Sequence, residues 1–354
     1  MKHRLLAAAA AVALILPAAA QEAPPPSPGE IVAAAPASDW VGIAPEDLLV
    51  MDLAPDAAGK ARRVVIQLMP APFSQGWIGN IRKLAAAHWW DGTSVNRVQD
   101  NYVVQWGDAT EQKVLPEGLA TVPESEYTVT GEAISDANAT HIDYGDGSAA
   151  SIIAAVEDSF AASEARARYA EMSIISTRRP HAQDGWHERD SYAPWVEIYG
   201  GWPLAAEEEP DGGYRFWPAH CYAMVGVGRN LSPDTGSGAE LYTVIGHAPR
   251  HLDRNIALVG RVISGIEHLS SLPRGTAALG FYETAAERTA IVSVRLGSDL
   301  PADARPRFEY LSKGSESFGR YVDARANRRD PFFNIPAGGA DICNVPVPVR
   351  AVAQ

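Results

Sequence analysis

Two polar side chains, Arg97 and Gln105, lie within Val95–Asp108, a stretch that is otherwise typical of an extended, half-buried segment. Its β-branched and aromatic residues favour a strand, and Gly107-Asp108 ends it. The two polar residues are eight positions apart, an even number, so both can project from one face and hydrogen-bond through a bend between them. The pattern predicts a small polar site in an apolar wall, with a guanidinium able to donate hydrogen bonds to a bound molecule.

The segments before this stretch predict the elements that position it. Two apolar segments, 48–53 and 61–70, are separated by a charged loop, as in a β-hairpin. A helix is then predicted from Ser74, a possible cap, up to Asp91-Gly92, because apolar residues recur at helical spacing. The predicted order is therefore strand, strand, helix and then the Arg97 strand.

This order, together with the phrase NRVQDNYVVQWGD, resembles the N-terminal half of a cyclophilin, the cyclosporin-type peptidyl-prolyl isomerase. The family phrase is Phe-His-Arg, two residues, Pro, one, Phe, two, Gln-Gly-Gly-Asp. Arg97, Tyr102 and Gln105 match its arginine, phenylalanine and glutamine without a gap, and Gly107-Asp108 matches its end. The sequence departs from the family where Asn96 replaces His, Asp100 replaces Pro and Trp106 replaces the first Gly.

The second half of the resemblance follows after a long interval. MVGVGRN (224–230) resembles the family's strand ending in Met-Ala-Asn, and GSGAELY (236–242) resembles its Gly-Ser-Gln-Phe-Phe. The Leu-Asp block, its strand and a second helix are matched from 251 to 272, and 287–296 would be the closing strand. The resemblance therefore covers roughly 46–110 and 217–297.

The resemblance implies a mainly β fold, a closed eight-stranded antiparallel cyclophilin-like barrel capped by two helices. We expect the cyclophilin-like domain over 39–300, with a large mixed insertion at 111–216 and a C-terminal extension at 301–354. The insertion is too long for a surface loop and contains a possible amphipathic helix at 156–172 and several tryptophans, so we expect it to be structured.

The resemblance also implies the site. Arg97 would donate to the prolyl imide nitrogen, and Gln105 would hold Arg97 in place, so that the twisted amide is bound better than the planar one. The substrate-binding residues would include Tyr102 and Val103 of the first half, and Glu240, Tyr242, His251, Leu252 and Ile256 of the second. From the residues alone, Arg97 could instead form a surface salt bridge, and Tyr102 could be a core aromatic.

Three of these positions depart from the family. Ile256 replaces the pocket histidine, and His251 replaces a tryptophan, so cyclosporin should bind weakly. Glu240 replaces a glutamine, and its carboxylate could either orient the Arg97 guanidinium or sequester it in an ion pair. Two functions therefore stay open: prolyl isomerisation, or a catalytically weak module that binds Pro-containing segments or an envelope partner.

The N-terminus predicts export. Residues 1–20 have a charged start, an apolar run from Leu5 to Leu16 and a small-residue cleavage site, as in a signal peptide. The run is too short for a stable membrane span. We expect a periplasmic or secreted protein, with residues 21–38 forming an Ala/Pro-rich tether.

Charge and cysteine usage narrow the partners further. The net charge is −13, and removing Lys2 and Arg4 would make it −15, which argues against nucleic acid and anionic membranes. The two cysteines, Cys221 and Cys343, could form a disulfide that pins the C-terminal tail, or remain buried free thiols. Their spacing resembles no metal site, and no Walker or dinucleotide fingerprint occurs, so we expect no metal and no cofactor. The resemblance to cyclophilins implies Pro-containing polypeptides as partners.

Overall fold

The computed structural model describes residues 24–134 and 190–352. The predicted signal peptide (1–20) and the predicted amphipathic helix (156–172) lie outside the described residues. The described strands are β1 (Trp40–Gly42), β2 (Leu48–Leu53), β3 (Arg62–Leu68), β4 (Ser94–Val98), β5 (Val103–Gly107), β6 (Val129–Thr130), β7 (Trp195–Tyr199), β8 (Trp202–Glu208), β9 (Tyr214–Pro218), β10 (Met224–Val227), β11 (Leu241–Val244), β12 (Leu258–Ser264), β13 (Thr289–Leu296), β14 (Phe308–Leu311) and β15 (Val349–Ala351). The helices used below are α1 (Pro28–Ala34), α2 (Gln75–Ala86), α3 (Glu267–Ser270) and α4 (Glu316–Ala326).

Eight of these strands close into an antiparallel barrel, in the order β10-β11-β5-β4-β13-β2-β3-β12. The predicted hairpin of β2 and β3 is present, with Leu49 opposite Ile66 and Met51 opposite Val64. The expected barrel fold is therefore confirmed. Closure leaves no free edge in the barrel, so its strands offer no template for pairing with other chains.

Both faces of β2 are buried, which explains its continuous apolar sequence. Leu49 and Met51 belong to the main core. Leu48 and Val50 point to the other face, where Phe308 of β14 packs on them. The C-terminal extension therefore covers one outer face of the barrel.

Helix α2 packs on the barrel through its apolar stripe. Trp77 and Ile81 are fully buried, and the Trp77 indole Nε1 donates to the carbonyl oxygens of Thr235 (3.1 Å) and Gly236 (3.0 Å). Ser74 occupies the N-cap position as predicted, but its side chain makes no capping hydrogen bond. The second helix is short, a single turn at α3. Within residues 24–134 and 190–352, no helix has the length and apolar character needed to span a membrane.

The described part of the insertion forms a second sheet of four strands, in the order β6-β9-β8-β7. Strands β7, β8 and β9 form an antiparallel meander, and β6 pairs with β9. Trp202 and Trp217 are buried in the same core as the barrel residues. The described part of the insertion therefore packs on the barrel, and Trp202 and Trp217 belong to the shared core.

The tether predicted for residues 21–38 is wrong for the residues that the structure describes. Pro28–Ala34 is a helix with a capping box, in which Ser27 accepts from Glu30 N and Glu30 accepts from Ser27 N. Ile31 is buried in the main core, and α1 packs on α4. A capped helix with one apolar anchor can be ordered by packing even in an Ala/Pro-rich sequence.

Strand β1 also departs from the expected domain boundary. It pairs with β14, and β14 pairs with β15, in a three-stranded sheet separate from the barrel. The segment from 24 to about 42 and the C-terminal extension therefore form one structural layer. Strand β1 lies within the domain predicted for 39–300, whereas its partner strand β14 lies in the C-terminal extension.

A disulfide joins Cys221, just before β10, to Cys343 in the C-terminal extension, 122 positions later in the sequence. Of the two alternatives left by the sequence, the structure has the disulfide. The bond closes a long loop and attaches the tail to the barrel. It therefore restricts the unfolded chain strongly.

We expect Cys343→Ser to lower the free energy of unfolding by roughly 2–4 kcal/mol, the usual effect of losing a native disulfide. Urea denaturation of the oxidised protein and of the variant measures this difference. Reduction of wild type should give the same loss, whereas reduction of the variant should change nothing. Equal stability of wild type and variant would show that the disulfide does not constrain the tail.

Candidate functional site

The site is organised around a β-hairpin rather than one bent strand. Arg97 lies on β4 and Gln105 on β5, and the two residues are direct partners in the antiparallel register. The Arg97 Nη1 donates to Gln105 Oε1 at 3.2 Å. A register shift between Val95 and Arg97 marks a bulge, which turns the Arg97 side chain relative to its neighbours on the strand.

Two further contacts, which the sequence did not predict, fix the guanidinium. Its Nε donates to the carbonyl oxygen of Leu279 at 2.8 Å, and its Nη2 donates to the Gln99 side-chain oxygen. The rings of Tyr102 and Phe281 lie 5.7 and 5.4 Å from Arg97 Cζ, within cation–π distance. Burial lowers the pKa of the Arg97 guanidinium below its usual value, but the group remains charged.

Glu240 contacts Gln105 rather than Arg97. The Gln105 Nε2 donates to Glu240 Oε2 at 3.5 Å, and among the described residues no ion pair joins Glu240 to Arg97. Burial raises the pKa of Glu240, and hydrogen bonds from Gln105 and Asn96 oppose this shift. The carboxylate can only accept, so it holds the Gln105 amide with its oxygen toward Arg97.

An apolar pocket lies beside this polar row. Val103, Tyr242 and Val244 form a small buried cluster, and Tyr102 and Ile256 pack against it. Strands β5 and β11 bring these residues together, because Gln105 pairs with Tyr242 and Val103 with Val244. The cluster supplies the apolar contacts that a pyrrolidine ring requires.

An open, shallow cleft of about 700 Å³ lies next to this cluster, and Ile256 belongs to both. Leu252 and Ile256 line it together with four residues that the sequence did not predict, Arg229, Asn230, Leu231 and Asn255. His251 is exposed, and its ring stacks on Tyr102 with centroids 6.4 Å apart. All seven predicted substrate-binding residues therefore lie around one site, with Glu240 behind the polar row.

A buried polar network lies behind the pocket. The Tyr242 hydroxyl is 2.9 Å from His220 Nε2, and His220 Nδ1 is 2.8 Å from Asp253 Oδ1. Asp253 also accepts from Arg250 Nε at 2.6 Å, and Arg250 in turn donates to both oxygens of Asp190 at 2.6 and 3.1 Å. The network therefore runs from the pocket wall to the edge of the insertion.

The protonation state of this network follows from its burial. Burial lowers the pKa of His220, although Asp253 opposes the shift, so the imidazole is neutral at pH 7. Its Nδ1 then carries the proton and donates to Asp253, while Nε2 accepts from the Tyr242 hydroxyl. Burial also raises the pKa of Tyr242 well above its usual value. The network is thus a positioning device with no ionised nucleophile.

Comparison with known proteins identifies the family. The family described as "Cyclophilin type peptidyl-prolyl cis-trans isomerase/CLD" matches residues 58–295, which span the barrel from the loop before β3 to β13. The chain belongs to the cyclophilin family. Members of this family generally catalyse peptidyl-prolyl cis–trans isomerisation and act on proline-containing peptides.

A solved cyclophilin structure shares the fold of this chain at low sequence identity. The cyclophilin AquaCyp293 from Hirschia baltica matches with a TM-score of 0.57 and 18% identity, over 88% of this chain and 93% of its own. A Cryptosporidium parvum cyclophilin-type peptidyl-prolyl cis-trans isomerase, solved in the presence of the dipeptide Ala-Pro, matches at a TM-score of 0.33 and 10% identity, over 70% of this chain and 98% of its own. No match to a curated protein was found.

Several of the residues that sequence reasoning missed reach the site only through the tertiary structure. Leu279 and Phe281 come from a loop about 180 residues after Arg97, and no periodic pattern marks that loop. His220 precedes Cys221, and only the buried bond to Tyr242 shows its place. Asp253 lies inside the recognised Leu-Asp block, so that match could have indicated it. In the described ranges, no three His, Cys, Asp or Glu side chains converge as metal ligands.

Proposed function

We propose that this cyclophilin catalyses cis–trans isomerisation of prolyl bonds in exported polypeptides. The observation that carries the proposal is the Arg97 guanidinium, held by Gln105 at the rim of an apolar pocket. Family membership supports the reaction class. The assignment of roles to individual residues rests on the geometry of the site.

The chemistry requires no nucleophile and no metal. Rotation about the prolyl bond is slow because amide resonance must be lost, with a barrier of roughly 18–20 kcal/mol. As the bond twists, the lone pair localises on the imide nitrogen, and a donor aimed at this atom stabilises the transition state more than the planar ground state. Arg97 retains unused N–H donors after its three contacts, because a guanidinium carries five.

Exchange spectroscopy on a single-proline peptide tests this proposal. Wild-type protein should accelerate the cis–trans exchange of the peptide above the uncatalysed rate, which is one event in tens of seconds or longer. A peptide in which alanine replaces the proline serves as the binding control. An exchange rate that stays at background while the Pro peptide still binds would favour the second function.

That second function is a binding module with weak or no catalysis. The departures of His251, Ile256 and Glu240 from the family pattern favour it, because they change the pocket wall and the support of Gln105. In this case the same cleft would bind Pro-containing segments of an envelope partner without accelerating exchange.

Glu240 is expected to support catalysis by orienting Gln105. Glu240→Gln should lower kcat/KM by about fivefold, because one buried hydrogen bond of roughly 1 kcal/mol loses its fixed orientation. Exchange rates for the two proteins measure the effect. A gain in rate would instead show that the carboxylate weakens Arg97.

The pH profile gives an independent readout of Glu240. Because its pKa is raised, its carboxylate is lost at a higher pH than an ordinary glutamate as the pH falls. The wild-type rate should therefore fall at acidic pH toward the rate of Glu240→Gln. The Glu240→Gln rate should stay flat over the same range.

We also propose export through the signal peptide at residues 1–20, which supports a periplasmic or secreted location. Fractionation of cells and N-terminal sequencing of the mature protein test this. Cleavage after Ala20 is expected to give a chain that begins at Gln21. An uncleaved chain in the cytoplasm would contradict the proposed location without affecting the reaction.

A further inference from the structure

Arg229 is a fixed positive charge in the wall of the cleft. Its Nε and Nη2 both donate to the carbonyl oxygen of Asn255, at 3.0 and 2.6 Å, and its Nη1 donates to the carbonyl oxygen of Asn230 at 2.6 Å. These bonds hold the guanidinium in one orientation. They use three of its five N–H donors, so two remain for another acceptor.

None of the partners of Arg229 is a carboxylate. Among the described residues it forms no ion pair. Asp234 is close enough for Arg229 to contribute to the lowering of its pKa, but the main causes are backbone N–H donors from Gly236 and Asn230. The Asp234 carboxylate is therefore satisfied by the backbone, and no carboxylate in the described part of the chain contacts Arg229 directly.

Arg97 has the same property on the other side of the pocket. Its three acceptors, Leu279, Gln105 and Gln99, are all neutral. Glu240, behind Gln105, has a raised pKa, because burial disfavours its charge. Within residues 24–134 and 190–352 of this strongly acidic protein, no carboxylate contacts either guanidinium, that of Arg97 at the apolar cluster or that of Arg229 in the cleft wall.

Arg229 is connected to the proposed proline site through neighbouring residues. It shares the cleft wall with Leu252 and Ile256, and Ile256 packs on the apolar cluster that holds Tyr242. Gly228, the residue before Arg229, donates its N–H to the Glu240 carbonyl oxygen at 2.8 Å and lies against the Gln105 side chain. A peptide with its proline in the pocket would therefore place neighbouring residues near Arg229.

We infer that Arg229 is a specificity-determining residue that selects substrates with an acidic side chain close to the proline. The inference rests on the proposed function, because it assumes that the pocket binds proline. A peptide carboxylate would accept charge-assisted hydrogen bonds from the two unused N–H groups. Because the guanidinium is already oriented, little further ordering opposes its binding.

A positional scan with synthetic peptides tests the inference. Each capped, alanine-rich peptide carries one proline and either Glu or Gln at one of the three positions before it or the two positions after it. Kd is measured by calorimetry, and exchange rate by NMR, for wild type, Arg229→Gln and Arg229→Lys. Arg63→Gln is the matched control, because Arg63 forms an exposed ion pair with Asp52 outside the cleft.

At one or two positions, wild type should bind the Glu peptide about three- to tenfold more tightly than the Gln peptide, as expected for one partly exposed charge-assisted contact. Arg229→Gln should bring this ratio close to one, whatever its effect on the Kd of the Gln peptide. Arg229→Lys should keep part of the ratio, and Arg63→Gln should keep all of it. Added salt should reduce the ratio in wild type.

Two results would overturn the inference on different grounds. Binding of the Gln peptides with a Glu/Gln ratio of one at every position would overturn the role of Arg229 and leave the proposed function standing. A ratio that persists in Arg229→Gln would have the same meaning. Absence of binding to every peptide, including the neutral ones, would overturn the proposed function and the inference together.

Discussion

Arg97→Ala is expected to lower kcat/KM for a single-proline peptide by about a hundredfold or more. The change removes the donor that faces the imide nitrogen, and loss of one preorganised transition-state donor usually costs about 10²–10³ in rate. Most of the loss should fall on kcat, because the apolar pocket formed by Val103 and Tyr242 remains in place to bind the proline ring.

Two controls separate the loss of the donor from a change in fold. Arg97→Lys keeps the charge but not the three fixed contacts of the guanidinium, so it should restore only a small part of the rate. Arg63→Gln should match wild type, because Arg63 lies in an exposed pair with Asp52. Circular dichroism checks that each variant is folded. A rate for Arg97→Ala within twofold of wild type would show that Arg97 does not stabilise the transition state.

The barrel could be predicted from the sequence for two reasons. Its strands carry local sequence patterns, and the chain resembles cyclophilins over long segments in the same order. The alternation and β-branching around Val95–Asp108 indicated extended structure, and the spacing of Arg97 and Gln105 indicated a shared face. The hairpin that makes them direct partners was not predicted, although Asp100-Asn101 between the two strands is a turn-favouring pair and Asn101 has a φ of 50°. The bond between them was therefore expected through a bend and is found across two strands.

The wall of the site was harder to predict, because it depends on side chains far apart in the chain. The alternative that Glu240 sequesters Arg97 could not be decided from the residue types. The structure places the Gln105 amide between the two charged groups. Similarly, Tyr242 was predicted as a pocket residue from an aromatic match, whereas its hydroxyl bond to His220 depends on the packing of the segment before β10.

The layer formed by residues 24 to about 42 and the C-terminal extension was difficult to predict for a different reason. Composition alone indicated a tether at 21–38, because alanine and proline carry little information about packing. The helix α1 exists because Ser27 and Glu30 cap it and because α4, about 290 residues later, supplies a surface for Ile31. Such a pairing has no local signal beyond the capping residues.

Asp253→Ala is expected to lower the free energy of unfolding by about 3–5 kcal/mol, the range for removing one partner of a buried ion pair. Asp253 accepts from His220 and Arg250, and none of the three is more than 7% exposed, so its loss leaves the His220 Nδ1–H without an acceptor.

Urea denaturation measures the loss, with two matched comparisons. Asp52→Ala breaks an exposed pair and should cost no more than about 1 kcal/mol. Asp253→Asn keeps an oxygen acceptor and should lose less than Asp253→Ala. Equal stability of wild type and Asp253→Ala would show that the buried network does not hold the pocket wall.

The same network predicts how stability depends on pH. The folded-state pKa of His220 is lowered by burial, so the unfolded chain takes up its proton more readily than the folded chain. The stabilisation from neutral His220 is therefore complete above the unfolded pKa of about 6.5 and is lost as the pH falls toward the lower folded value, by at most about 1.4 kcal/mol per pH unit. The lowered pKa of Asp253 adds a loss of the same sign at more acidic pH, below the usual aspartate range.

Unfolding curves at pH 7.5 and 5.5 should show the loss of stability that follows from His220 in wild type. They should show a smaller difference in His220→Gln, in which a neutral amide replaces the titrating ring. If the difference between the two pH values were unchanged in His220→Gln, a group other than His220 would be responsible for the loss of stability in acid.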